Sequence, residues 1–397
     1  MRMRILVVDD EAFVRELLTH QLTRLGMTEV TACEGAQEAL WVLREGHDHT
    51  DLVFCDLQMP EMDGVEFIRH LVGMGYQGGL VLVSGEDERI LHTAEKLAHA
   101  HKLTMLGALH KPVSSHRLQQ VLQERTRHIA ALPRAERKTY GAAALLRAIT
   151  NGELVNFYQP QVDVASCAIT GVEALVRWRH PEDGVVFPDQ FIHVAEENGL
   201  IDALTLVVLK AAVQDARLWQ DAGFPLQVSV NVSMDNLAAL DFPDVVEGVA
   251  TDAGLPITSL TLEVTESQLM KNPRASLDIL TRLRLKRIGL SIDDFGTGNS
   301  SLAQLHDIPF NELKVDRGFV HGACRDASLR AIVEASLGMA HQLGLKVVAE
   351  GVEDREDWEF LRTIGCDLAQ GWFIAKAMPA AELPVWIDSW QRRHSSA

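Results

Sequence analysis

The chain alternates between two hydrophobic rhythms. Short apolar runs, "RILVV" (4–8), "LVFC" (52–55) and "LVLVS" (80–84), read as buried parallel strands. Between the first two lies "EAFVRELLTHQLTRLG", apolar at 13, 14, 17, 18, 22 and 25. That spacing is one helix face, and Gly26 closes it. "TEVTAC" and "TMLGAL" predict two further strands. Over residues 1–125 this alternation predicts a doubly wound, flavodoxin-like α/β domain with its site at the carboxyl ends of the strands. Residues 126–140, "TRHIAALPRAERKTY", lose the pattern and gather five basic residues around Pro133, which predicts a linker. "GAAALLRAITNGEL" then reads as a helix stopped at Asn151–Gly152. Within 141–397 the strand and helix rhythm resumes, with strands expected at 155–160, 169–178, 226–231, 259–264, 288–293, 311–315, 346–350 and 366–369. Eight strands with helices between most of them predict a (β/α)8 barrel, whose chemistry sits at the carboxyl-terminal rim.

Polar residues interrupt the apolar runs mostly near their ends. In the first domain these are Asp9 and Asp10 after the first strand, Asp56 at the third, Ser84 at the fourth and Lys111 after the fifth. One strand-end Asp is more often a turn or a helix cap than a site; five polar residues at four such ends are a constellation. In the second domain the corresponding residues are Glu173, Asn231, Glu263, Asp293, Asp294, Lys314, Asp316, Glu350 and Gln370. The pair Asp293–Asp294 in "SIDDFGTGNS" is the sharpest of them, because clustered carboxylates repel unless a proton or cation lies between them. All-oxygen sets of this kind suit Mg²⁺ or Mn²⁺ better than zinc. Glu173 alone also reads as an ion-paired glutamate and Lys314 alone as a surface lysine, while Trp178, Trp372 and Phe373 read as packing residues rather than base-stacking platforms.

Composition narrows the classes. The 397 residues carry 37 Lys+Arg against 55 Asp+Glu, a formal charge of −18, which argues against broad nucleic-acid binding. The five cysteines (33, 55, 167, 324, 366) form no CxxC pair, and their odd number argues against a disulfide framework. No apolar run reaches membrane-span length, and "MRMRILVVDD" meets its aspartates too soon for a signal sequence. The expectation is a cytoplasmic protein with no membrane or nucleic-acid partner.

Two resemblances attach to these motifs. "VVDDE", "CDLQMPEMDG", "LVSGE" and "HKP", spread over residues 1–125, resemble a bacterial response-regulator receiver domain. The resemblance implies that Asp56 accepts a phosphoryl group from a sensor histidine kinase. It also implies one Mg²⁺ on Asp10, Asp56 and the carbonyl of Gln58, with Asp9 assisting, and phosphate contacts from Ser84 and Lys111. Receivers often carry an aromatic three residues before that lysine; Ala108 stands there here.

"GVEALVRWRHP", "VSVNVS", "LTLEVTES", "DDFGTG", "LKVDRGF", "VVAEGVE" and "AQGWF" resemble, in order, an EAL domain of the cyclic di-GMP phosphodiesterase family. This resemblance implies a modified (β/α)8 barrel with one antiparallel strand and hydrolysis of cyclic di-GMP to linear pGpG. It implies two cations, one on Glu173, Asn231, Glu263 and Asp293, the other on Asp293, Asp294 and Glu350. Lys314, Glu350, Glu353 and Asp316 would serve catalysis; Gln159, Leu175, Arg177 and Gln370 would contact substrate; Glu266 would brace the "DDFGTG" loop. A homo-oligomer, dimer or higher, formed through this domain is also implied. Asn299 and Ala377 depart from the tyrosine and proline common in the family. Two other outputs compete with hydrolysis: a domain that senses cyclic di-GMP without cleaving it, and a protein-interaction regulator.

Overall fold

The computed structural model describes residues 3–45, 50–85, 88–101, 103–114, 117–119, 121–122, 140–266, 273–296 and 308–394. The chain forms two compact units, Met1–Glu136 and Arg137–Ala397. The proposed linker lies outside the described residues except for Tyr140. That residue is buried in the second unit, its ring 4.7 Å from Trp178 and its hydroxyl 2.9 Å from Asp183.

In the first unit five strands, β1 (Arg4–Val8), β2 (Glu29–Cys33), β3 (Leu52–Asp56), β4 (Gly79–Ser84) and β5 (Thr104–His110), pair in the order β2-β1-β3-β4-β5, all parallel. β3 and β4 are buried at every position. Their unbroken apolar runs follow from being covered on both faces, as a parallel sheet requires. The hydrophobic residues accordingly form two separate clusters, one containing Leu6, Val53 and Leu82 and the other Ile5, Phe54 and Val83.

The second unit is a closed barrel. Its strands are β6 (Leu154–Asp163), β7 (Ile169–His180), β9 (Gln227–Asn231), β10 (Leu260–Thr265), β11 (Gly289–Phe295), β12 (Glu312–Val315), β13 (Lys346–Ala349) and β14 (Leu368–Ala369). They pair in that order, and β14 returns to β6. The short strands β8 (Gly184–Val186) and β15 (Met378–Pro379), which the hydrophobic pattern does not announce, attach to β7 and β6. β6 runs antiparallel to both β7 and β14, while the other barrel pairs are parallel. The reason is local: five residues separate β6 from β7, and a connection that short can only make a hairpin. Parallel neighbours need a crossover, supplied for example by the helix Ile201–Asp221 between β7 and β9.

Candidate active site

The register delivers the polar residues to one rim. Gln159 on β6 lies opposite Glu173 on β7, and Asn231 on β9 lies beside Glu263 on β10. Glu263 is two residues before Thr265, which pairs with Asp293 on β11. Lys314 on β12 and Glu350 just past β13 complete the ring. Side chains alternate along a strand, so these positions share the barrel interior at the carboxyl ends of the parallel strands.

Lys314 is the centre, and the surface-lysine reading is wrong. The side chain is fully buried, and its Nζ lies 2.7 Å from Glu350, 2.9 Å from Glu263, 3.3 Å from Asp293 and 3.4 Å from Glu173. Burial opposes its charge, but four surrounding carboxylates outweigh that and push its pKa well above the usual value. The carboxylates differ from one another. Burial opposes ionisation of Glu173, yet Lys314 and donors from Gln370 (2.6 Å) and Asn231 (2.9 Å) hold its pKa below the usual range. Glu263 has Lys314 on Oε2, but its buried Oε1 has no hydrogen-bond partner, and burial pushes its pKa well up. Burial pushes Glu350 up to about 8, and burial with the neighbouring Asp293 pushes Asp294 up to about 6. A buried acceptor without a donor is costly. An excess of carboxylates over one ammonium, with the orphaned Glu263 oxygen among them, fits divalent cations.

Asp293 and Asp294 meet because the strand breaks its rule. Successive strand residues point to opposite faces. Here Asp294 adopts φ 56°, in the left-handed region rare for non-glycine residues, and the β11–β12 register shifts between Ile292 and Phe295. One oxygen each of Asp293, Asp294 and Glu350 therefore lies within 4.8 Å of the others. Glu266 Oε2 accepts from Gly296 N at 2.8 Å, bracing the turn that follows. Residues 297–307, with Gly298 and Asn299, lie outside the described residues.

A cleft of about 250 Å³ opens over this cluster, lined by Gln159, Glu173, Leu175, Asp293, Arg317, Glu350, Gly351, Glu353, Gln370, Gly371 and Trp372. Gln370 links the wall to the carboxylates, accepting from Gln161 at 3.0 Å and donating to Gln159 at 3.2 Å and to Glu173. Asp316 caps the turn Arg317–Val320 through Gly318 N at 2.9 Å. Arg177 does not line the cleft: its guanidinium lies over Phe187 (4.9 Å) and Phe157 (5.8 Å). Trp372 is not a packing residue either. It is 59% exposed, between Arg317 and Lys376 at 5.6 and 5.0 Å from its ring centre. Trp178 is packing, as the sequence suggested, and Phe373 lies 6.1 Å from Trp358.

The first unit gathers a smaller cluster. Lys111 Nζ lies 2.8 Å from Asp56, 2.9 Å from Asp9 and 3.1 Å from Glu11. Asp9, Asp56 and Ser84 are buried. Burial raises the Asp9 pKa, while hydrogen bonds to Asp56, Asp9 and Glu11 overcome burial to raise that of Lys111. Gln58 N donates to Asp56 Oδ1 at 3.3 Å. Asp10 is exposed and outside the convergent set, where Glu11 stands instead. Sequence reasoning passed over Glu11, although it directly follows the aspartate pair, and Gln161, although it shares the strand face of Gln159.

The EAL domain family model matches residues 142–377. This chain belongs to the EAL domain family. A response regulator receiver domain model matches residues 5–123 of the same EAL protein. The cyclic di-GMP phosphodiesterase RocR of Pseudomonas aeruginosa is 32% identical over 95% of this chain and 96% of its own. The bifunctional diguanylate cyclase/cyclic di-GMP phosphodiesterase MucR of that organism is 42% identical over 60% of this chain, which spans only 35% of MucR. Among solved structures, the PaMucR phosphodiesterase in complex with c-di-GMP is 42% identical with TM-score 0.58, covering 61% of this chain and 98% of that one. The EAL enzyme Bd1971, in a form with cAMP and cyclic di-GMP bound, is 29% identical with TM-score 0.60, covering 68% and 74%.

Proposed function

We propose that this EAL protein is a cytoplasmic response regulator that hydrolyses cyclic di-GMP to linear pGpG, under control of phosphorylation at Asp56 by a sensor histidine kinase. The observation that carries the reading is the buried Lys314 ammonium among Glu173, Glu263, Asp293 and Glu350, with the buried Glu263 Oε1 left without a hydrogen-bond partner. Loss of Glu173, Asp293 or Lys314 would have favoured a binding-only domain, and all three are present. Mg²⁺ or Mn²⁺ held by Glu173, Asn231, Glu263 and Asp293, and by Asp293, Asp294 and Glu350, would supply Lewis acidity and offset phosphate charge.

The chain's own residues do the rest. Lys314 keeps the carboxylates in place and offers positive charge toward a phosphate. Gln370 and Gln159 orient the ligand edge from the β6 side, with Leu175 as an apolar wall. Glu353 at the rim would accept the proton of the attacking water, whose oxygen bonds to phosphorus as the P–O3′ bond breaks; that proton then passes from Glu353 to the leaving 3′ oxygen. Asp316 orders the adjoining turn. In the receiver, Asp56 takes the phosphoryl group beside Lys111 and Ser84, and Asp10, Asp56 and the Gln58 carbonyl, with Asp9 assisting, would hold one Mg²⁺, which requires the exposed Asp10 carboxylate to turn toward Asp56. Assembly as a homo-oligomer through the EAL domain is part of the same proposal. Among the described residues no helix is long and apolar enough to cross a membrane.

The test is conversion of cyclic di-GMP by purified full-length protein in Mg²⁺ or Mn²⁺, followed by chromatography. Wild type should yield pGpG, and Asp293→Asn should lose turnover by about 100-fold or more while keeping its fold. Tight binding without any cleavage by wild type would replace hydrolysis with sensing.

A further inference from the structure

Asp357 is a buried carboxylate outside the metal-ligand set. It lies in the first turn of the helix Arg355–Ile364, whose N-cap is Asp354. A buried carboxylate needs donors, and Asp357 has three: Gly322 N at 3.0 Å, Glu353 N at 3.1 Å and His321 Nδ1 at 2.8 Å. Two of the donors belong to the segment after β12 that carries Asp316 and Arg317. The third belongs to the segment after β13 that carries Glu350 and Glu353. One side chain therefore ties together the two segments that present the proposed proton acceptor.

The pairing also dictates a tautomer. An ionised carboxylate only accepts, so His321 must hold its proton on Nδ1. In that tautomer Nε2 carries a lone pair, and at 4.0 Å from Glu353 Oε2 it makes no hydrogen bond; the pair reaches Glu353 through the backbone N–H that Asp357 accepts. The other oxygen of Glu353 is held by Arg317 at 2.5 Å, and that guanidinium lies over Trp372. Asp354 also converges on His321 and Asp357. Its oxygens, however, already cap the helix at Asp357 N (2.9 Å) and meet Arg325 (3.3 Å), so the trio is a hydrogen-bonded brace rather than a cation site.

We propose that the Asp357–His321 pair is a positioning device for Glu353, orienting its carboxylate for proton transfer in cyclic di-GMP hydrolysis. This rests on the phosphodiesterase reading above. Neither residue touches the substrate; both act through Glu353.

The experiment is a double-mutant cycle in the full-length protein. His321→Ala and Asp357→Asn should each lower kcat about 10-fold, the size typical of lost outer-shell partners, with KM changed less than about 2-fold. In the Glu353→Gln background, read by single-turnover rates, His321→Ala should add nothing, because residues acting as one unit are not additive. Imidazole ¹⁵N spectra give a readout that needs no activity: His321 should be the Nδ1–H tautomer in wild type, and its signals should move in both Asp357→Asn and Glu353→Gln. An equal loss from His321→Ala in both Glu353 backgrounds, or His321 signals indifferent to Glu353→Gln, would overturn the proposal. A wild type that hydrolyses nothing while its His321 signals respond as stated would sink the phosphodiesterase reading and leave the pairing with Glu353 intact.

Discussion

Lys314 shows how one residue organises the site. Four carboxylates lie within 3.4 Å of its ammonium. Removing one partner of a buried ionic cluster costs about 3–5 kcal/mol, because the remaining charges stay buried. Lys314→Met should therefore abolish turnover and destabilise the cation-free protein by about that amount, and Mg²⁺ should restore part of the loss; thermal melting with and without the ion checks this. A second expectation comes from proton uptake. Burial, chiefly, raises Glu350 to about 8 and Asp294 to about 6 in the cation-free fold. Groups with raised folded pKa values bind more protons folded than unfolded, so they make stability fall as pH rises from the ordinary carboxylate range toward 8. Cation binding must expel those protons. Mg²⁺ or Mn²⁺ should therefore bind more tightly at pH 8 than at pH 6 and release protons at pH 7. Calorimetry in buffers of different ionisation heat measures both, and pH-independent affinity would contradict the assignment.

At the scale of elements, the segments after β13 and β14 are fused back to back. Val352 N donates to Gln370 O at 3.1 Å, and Phe373 N donates to Val352 O at 3.0 Å. Gly371 makes the approach possible: a Cβ there would lie 2.2 Å from Val352 O and 2.3 Å from Val352 N. Backbone cannot yield as a side-chain tip can. Gly371→Ala should cost about 1–3 kcal/mol of stability and, by parting Gln370 from Glu350, lower turnover about 10-fold or more. Wild-type rates in a folded Gly371→Ala protein would show that the spacing of these segments is not critical. The hairpin β6–β7 is the other decisive element, because its short turn makes β6 antiparallel and brings Gln159 opposite Glu173.

For the whole molecule the question is how two units communicate. Asp56 belongs to one compact unit and Lys314 to the other. A phosphoryl group on Asp56 would alter hydrolysis by shifting an equilibrium that both units share. Ala108 stands where receivers often carry an aromatic ring, and the linker joining the units lies outside the described residues except for Tyr140. Acetyl phosphate with Mg²⁺ should change wild-type turnover about 5-fold or more, the usual scale of such coupling, and leave Asp56→Asn unchanged. Identical rates in both proteins under both conditions would move the receiver's output to a partner interaction.

Much of this architecture was legible along the chain. Strand periodicity placed eight barrel strands to within a few residues, and polar residues at their ends marked the rim, because parallel strands are buried on both faces and tolerate such residues only where a site uses them. The order of motifs carried the two families and, through them, the expected ligand set. Periodicity reports which face a residue takes and says nothing of what meets it across the barrel. Folding alone decided that Lys314 is buried among four carboxylates from β7, β10, β11 and the end of β13. The left-handed turn at Asp294, which brings both aspartates to one side, is likewise invisible in a strand pattern. So is the placement of Arg177 between two phenylalanines, of Trp372 at the rim, and of His321 beside Asp357, 36 positions further on. These depend on contacts between residues distant in sequence, and no local preference encodes them.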